Sequence, residues 1–241
     1  MSKLALVTGS TRGIGKQIAL DLLYRGSEVI FNYAKDAVEA DKLHQDLFDR
    51  GLGGRFIILQ ADMSNINSAD LIDKALEEAK LDYIVFNAGM TLRKPFGELT
   101  YEETLEVFNL NTLVPLFILQ NIKDRIKDGG KIVFITSIAG MTSDSVSIPY
   151  GVSKGATNIM IPYLAKEFAS RNITVNAVAP GYIMTDWHAN KDDAQIKRIS
   201  DKTMLKRFGT PEEVSKAVLS LLDNDYITGQ VLRVDGGFHA C

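Results

Sequence analysis

Tyr150 and Lys154 stand four residues apart, directly after Pro149. A proline in the first turn opens a helix, and residues at i and i+4 share one of its faces, so the two side chains are able to converge. A free phenol titrates near about pH 10, too high for ready proton exchange at neutrality. A neighbouring ammonium stabilises the phenolate and makes the tyrosine a workable general acid or base. Ser137 closes an apolar run at 131–136. A hydroxyl there can donate to a carbonyl oxygen and stabilise the negative charge that grows on it. It need not be a nucleophile, and no histidine lies near it in sequence. Tyr-x-x-x-Lys also arises by chance in many helices, so the pair is read together with TGSTRGIG at 8–15. Gly9, Gly13 and Gly15 have no Cβ, which allows a tight turn and lets a dinucleotide approach a helix N-terminus.

Apolar, β-branched runs at 4–7, 29–33, 56–59, 83–86, 132–136, 174–178 and 231–234 supply the scaffold. Most are continuously apolar, as expected of parallel strands covered on both faces. Helical segments alternate with them, and TYEE (100–103) and TPEE (210–213) each read as a capping box, the second with Pro211 in its first turn. The alternation predicts an α/β chain: one doubly wound parallel sheet of about seven strands, with helices on both faces and no second domain within residues 1–241. Such sheets gather ligands at the carboxyl ends of their strands. Residues 8–15, 32–35, 62, 87–89, 137 and 180–181 all fall there. The polar stretch 182–207, with Trp187 and His188 able to line a pocket, reads as a lid over a substrate.

The charge balance, 27 basic against 30 acidic side chains, speaks against a nucleic-acid partner. Apolar stretches such as 114–119 fall far short of the ~18 residues of a membrane span, and residues 4–7 lead into glycines rather than a cleavage site. The expectation is a cytoplasmic protein with neither nucleic acid nor membrane as partner. The one cysteine, Cys241, rules out an internal disulfide, and His44, His188 and His239 lack ligand spacing, so no metal is expected.

In order and spacing, TGSTRGIG, Asn87-Ala88-Gly89, Ser137, Tyr150-x-x-x-Lys154 and Pro180-Gly181 resemble the short-chain dehydrogenase/reductase family across nearly the whole chain. RFGTPEEV (207–214) and ITGQVLRVDGGF (227–238) resemble its 3-oxoacyl-[acyl-carrier-protein] reductase branch. The resemblance implies a Rossmann-type domain with Ser137, Tyr150, Lys154 and Asn111 as catalytic residues. Tyr150 would protonate the alkoxide, and Lys154 would lower its pKa and hold the nicotinamide ribose. For Asn111 there is also a physical reason: Pro115 has no N–H to give to the Asn111 carbonyl. That oxygen is expected to be free for a water which, by resemblance, links Lys154 to solvent.

Cofactor contacts are expected from Gly9, Ser10, Thr11, Arg12, Gly13, Ile14 and Gly15, from Asn32, Tyr33 and Lys35, and from Asp62 and Met63. Asn87, Ala88, Gly89, Tyr150, Lys154, Pro180, Gly181, Ile183 and Thr185 complete the set. No acid stands at the end of the second apolar run to bind a ribose 2′-hydroxyl, the nearest being Asp36. Arg12 and Lys35 can instead pair with a 2′-phosphate, which points to NADP(H).

Phe86 stands where the family usually has asparagine, a change expected to alter strand packing rather than cofactor binding. The stretch 141–149 lacks the glycines and glutamine common in the acyl-carrier branch, and TLRKPF (91–96) is more similar to sugar and polyol dehydrogenases. The expected function is NADPH-dependent reduction of a 3-oxoacyl group on acyl carrier protein, in fatty acid synthesis. Oxidoreduction of a sugar, polyol or small ketone is the alternative. A non-catalytic NADP sensor is another, against which the intact tetrad argues. Arg171, Lys127 and Lys131 could dock an acidic carrier. Pro162 is expected to interrupt the helix after Tyr150, through which the family forms a four-helix contact, implying a homotetramer or homodimer.

Overall fold

A computed structural model of the chain describes residues 2–143 and 147–238. The middle of the 141–149 stretch, His239 and Cys241 lie outside the described residues. Each apolar run forms a strand: β1 (Leu4–Val7), β2 (Glu28–Tyr33), β3 (Phe56–Gln60), β4 (Leu81–Phe86), β5 (Ile126–Ile135), β6 (Thr174–Pro180) and β7 (Val231–Val234). They pair in parallel in the order β3-β2-β1-β4-β5-β6-β7. The winding reverses between β1 and β4, the place where a doubly wound sheet opens a crevice for ligands.

Side chains alternate across the sheet and fill two cores. Leu6, Ile84, Ile132 and Val175 pack on one face with α3 (Ser68–Leu76), α5 (Val114–Asn121) and α6 (Ile148–Phe168). Val7, Phe31, Val85 and Val178 pack on the other with α1 (Gly13–Tyr24), α2 (Ala37–Asp49) and α8 (Pro211–Leu222). Phe86 stacks on Phe134 with ring centroids 4.7 Å apart, inside the first core. Its side chain therefore serves strand packing, as expected. β5 begins earlier than its apolar run, because Gly129 (φ 77°) and Gly130 carry the chain through a register shift against β4.

Two proline expectations meet the structure differently. Pro162 does not interrupt α6, which runs unbroken over 21 residues. Pro115 does end regular α-helix geometry upstream. α4 (Tyr101–Phe108) passes into a π-helical turn at Asn109–Leu113, and the Val114 N–H donates to the carbonyl of Asn109. The lid carries its own helix, α7 (Asp193–Ser200), started by a capping box between Asp192 and Gln195. Among the described residues no helix is long and apolar enough to cross a membrane.

Candidate active site

The loops at the switch point are tied to one another by side chains. Thr8 Oγ1 accepts the N–H groups of Asn87 and Ala88 at 2.9 and 3.0 Å, and Asn87 Nδ2 donates to the carbonyls of Thr8 and Gly9. Asn32 Oδ1 accepts from Gly9 N at 3.0 Å, while its Nδ2 donates to Ala61 O at 2.9 Å. Gly9 has φ +60°, and a Cβ on it would stand 3.0 Å from Ala88 Cα. The loop is thus a rigid cradle, and glycine is required at its tightest point.

A cleft of about 830 Å³ opens over this cradle. Gly9, Thr11, Arg12, Gly13, Ile14, Asn32, Tyr33, Lys35, Asp62 and Met63 line it from one end. Asn87, Ala88, Gly89, Tyr150, Lys154, Pro180, Gly181, Ile183 and Thr185 line the remainder. Two of the expected cofactor residues, Ser10 and Gly15, are not among those lining it. Ser10 is fully buried, donating to Val7 O and accepting from Asn32 N, so it braces the loop from beneath. Gly15 packs helix against strand: a Cβ there would collide with Asn87 Nδ2 and Gly9 O. Asp36 caps α2 through Glu39 N, and Arg12 and Lys35 are the cations at this end. Asp62 feels burial, which raises its pKa. The Ser64 amide and hydroxyl and the charge of Lys35 outweigh that and hold it below the usual carboxylate range.

At the other end Ser137 and Tyr150 meet. The Ser137 Oγ caps a short turn, Ile138–Gly140, by accepting from Ala139 N at 3.1 Å. That turn lies directly on α6, because Gly140 faces Gly155 and a Cβ at Gly140 would strike the Gly155 amide nitrogen. This backbone contact places the Ser137 hydroxyl beside Tyr150, near enough to act on its titration. Neither glycine was marked by the sequence motifs. Burial raises the Tyr150 pKa, and the Ser137 hydroxyl opposes the rise without cancelling it.

The expected depression by Lys154 is not what this arrangement gives. Lys154 Nζ lies 5.9 Å from the tyrosine ring centroid and donates to Ile135 O at 2.8 Å. Burial lowers the pKa of Lys154 itself to about 8. Tyr150 is consequently a protonated phenol at neutral pH, suited to giving a proton away.

Asn111 is 3% exposed in the π-helical turn. Its Oδ1 accepts from Met90 N, and its Nδ2 donates to Met90 O and Ser153 Oγ, each at 2.9 Å. Its carbonyl escapes the helical ladder as expected, yet it accepts from Thr157 Oγ1 at 3.1 Å. No sequence motif pointed to that partner. A Cβ at Gly89 would lie 3.1 Å from Asn111 Oδ1 and 3.4 Å from Lys154 Nζ, so the missing methyl leaves those polar groups room.

A second cavity of about 640 Å³ joins the cleft and shares with it Ser137, Tyr150, Gly181, Trp187 and His188. The two hydroxyls therefore stand where the cavities meet. The 182–207 segment forms a wall of both, with Trp187 6.4 Å from the Tyr150 ring and Thr185 so placed that a Cβ on Gly13 would lie 3.6 Å from its methyl. Arg93, Lys191 and Arg198 also line the second cavity. No motif pointed to them. On the far side, the expected docking patch is neutralised: Arg171 pairs with Asp128, Lys127 with Asp82 and Lys131 with Asp225. Among the described residues no cluster of side chains could hold a metal.

The fold and site define a class, a Rossmann-type nucleotide-binding domain with a Ser-Tyr-Lys centre. A family profile described as enoyl-(acyl carrier protein) reductase matches residues 9–239. A tetrahydroxynaphthalene reductase of Pestalotiopsis fici is 38% identical, over 98% of this chain and 91% of its own. A 3-oxoacyl-[acyl-carrier-protein] reductase of Synechocystis is 36% identical, over 98% of this chain and 96% of its own. A blue fluorescent protein from a metagenomic library, solved with NADPH, superposes with a TM-score of 0.90 at 31% identity, over 98% and 97% of the two chains. ElxO with NADP bound gives 0.90 at 32% identity, over 100% of both. The chain belongs to the short-chain dehydrogenase/reductase family and is an oxidoreductase.

Proposed function

We propose that the protein reduces a carbonyl to an alcohol with NADPH, the substrate being a 3-oxoacyl group carried by acyl carrier protein in fatty acid synthesis. The observation that carries the reaction type is the convergence of Ser137 and Tyr150 at the junction of the two cavities. NADP(H) is the cofactor: Arg12 and Lys35 line the cleft beside β2, Asp36 caps α2, and two of the structural neighbours were solved with that nucleotide. The carrier-bound substrate is supported by the Synechocystis relative and by the motifs at 207–214 and 227–238.

The glycine loop and Arg12 would hold the pyrophosphate and the ribose phosphate. Asp62 and Met63 would hold the adenine, and Lys154 the ribose next to the reacting ring. Bound in the cleft, the reduced nicotinamide supplies a hydride to the carbonyl carbon. Ser137 donates a hydrogen bond to the carbonyl oxygen and stabilises its developing charge. Tyr150 gives that oxygen a proton, and its raised pKa keeps the proton in place until then. Lys154, next on the same helix face, is the nearest cation to the phenolate left behind.

The outward sides of α4, α5 and α6 expose Tyr101, Leu105, Phe117, Val152, Ile159 and Tyr163. An apolar face of this kind supports a homotetramer or homodimer, and the single cysteine fits a reducing cytoplasm. The test is steady-state NADPH oxidation with an acetoacetyl thioester against a panel of sugars, polyols and small ketones. Preference for the thioester is expected. Faster turnover of a sugar or polyol overturns the substrate, and no turnover of any carbonyl or alcohol overturns the reaction.

A further inference from the structure

The second cavity is lined by Arg93, Lys191, Arg198 and Lys202, and by no carboxylate among the described residues. These cations come from two places far apart in sequence, the segment after β4 and the lid, so no local charge run explains their meeting. Nor does composition, since acidic residues outnumber basic ones in the chain.

Their neighbours behave differently. Lys94 pairs with Glu103 at 2.5 Å, Lys197 with Asp201 at 3.4 Å and Arg207 with Glu213 at 2.6 Å. Among the described residues, Arg93, Lys191 and Arg198 have no such partner. Lys94, Lys197 and Arg207, which do not line the cavity, are paired with carboxylates, and three cations that line it are not. His188 shares the wall, with Nδ1 buried and unpartnered among the described residues. Burial, Lys191 and Arg93 together lower its pKa to about 4, so it stays neutral. Like charges around a half-closed cavity repel one another, and a bound anion relieves that repulsion.

We propose that the carbonyl substrate carries a carboxylate or phosphate, which Arg93, Lys191 and Arg198 hold while Ser137 and Tyr150 engage its carbonyl. The inference rests on the reductase reading and adds a specificity site to it. The anion belongs either to a small oxo acid or to the phosphopantetheine arm of a carrier.

The test titrates the NADP⁺-loaded protein, read by the fluorescence of its single tryptophan, Trp187. The probes are acetoacetate against its methyl ester, and acetoacetyl phosphopantetheine against acetoacetyl-N-acetylcysteamine. The same four compounds are assayed for NADPH oxidation. At least one anion is expected to outcompete its neutral counterpart about tenfold. Arg93→Ala and Arg198→Ala are expected to shrink that ratio roughly tenfold, with the loss falling on KM, and Arg93→Lys to restore most of it. A preference for acetoacetate assigns the anion to an oxo acid, and one confined to the phosphopantetheine thioester assigns it to the carrier arm. Equal binding of charged and neutral probes, or a ratio unmoved by both substitutions, overturns the proposal. Anion-selective binding without any turnover would leave this site standing and remove the reductase reading instead.

Discussion

Replacing Lys154 with Met should abolish turnover and yet leave the folded protein slightly more stable at pH 7. The ammonium is 4% exposed, and burial lowers its pKa from the 10.5 of a free lysine to about 8. At about 1.4 kcal/mol per tenfold change in proton affinity, holding the charged form in the fold costs about 3 kcal/mol. Met of similar length removes that cost. It also strips Ile135 O of its 2.8 Å partner, a loss of about 2 kcal/mol. The net gain at pH 7 is therefore about 1 kcal/mol.

The sign must change with pH. Between about pH 8 and 10.5 the unfolded lysine holds its proton and the folded one does not, so wild-type stability rises with pH across that window. The variant has no such dependence. It should pass from about 1 kcal/mol more stable at pH 7 to about 2 kcal/mol less stable near pH 10.5. Urea unfolding of the nucleotide-free proteins at equal concentration, followed by Trp187 fluorescence, measures the difference. A variant equally destabilised at both pH values would refute a buried, strained ammonium as the origin of the lowered pKa.

Tyr150→Phe should lower kcat by about 10²–10⁴ while NADPH fluorescence titration shows unchanged cofactor affinity; retained turnover would remove the tyrosine as acid. Arg12→Ala and Lys35→Ala should each weaken NADPH binding about tenfold and leave NADH binding as it was, because only the 2′-phosphate contact is lost. Gly140→Ala drives a methyl into the Gly155 amide, so it should separate Ser137 from Tyr150 and reduce kcat further than Tm. A wild-type rate for that variant would show that the backbone contact does not position the serine. Ile159→Glu with Tyr163→Glu places charge on the exposed apolar face of α6 and should leave a monomer in sedimentation velocity, where wild type is expected to sediment as a dimer or tetramer.

What the sequence showed clearly was whatever depends on chain-local physics. The seven strands were legible because burial on both faces demands unbroken apolar runs, and the cofactor cradle because glycine suits a turn with φ +60° and Ala88 packed against Gly9. Pro115 announced a break in the helical ladder for the same reason, since a missing N–H is a property of one residue. Pro162 misled by that logic. Its lost donor is tolerated inside a long helix whose neighbouring turns are held by packing of Ile161, Leu164 and Phe168 into the core.

The features that stayed hidden depend on distant chain segments meeting in space. Thr157 reaches the Asn111 carbonyl from 46 positions away, and Gly140 meets Gly155 across two elements. Tyr150 and Lys154 show the distinction within one motif. Spacing placed both on one helix face, but proton affinity follows from what surrounds each atom, and burial is the largest influence on both. The same reasoning governs the cations of the second cavity. Arg93 is an ordinary loop arginine and Arg198 an ordinary helix arginine until the fold turns both toward one space that no carboxylate lines among the described residues. The chemistry of reduction is therefore written in local motifs, while the choice of substrate lies in a surface that exists only after folding. Substitutions in 91–96 and 187–202 should accordingly change which carbonyl is reduced before they change whether one is.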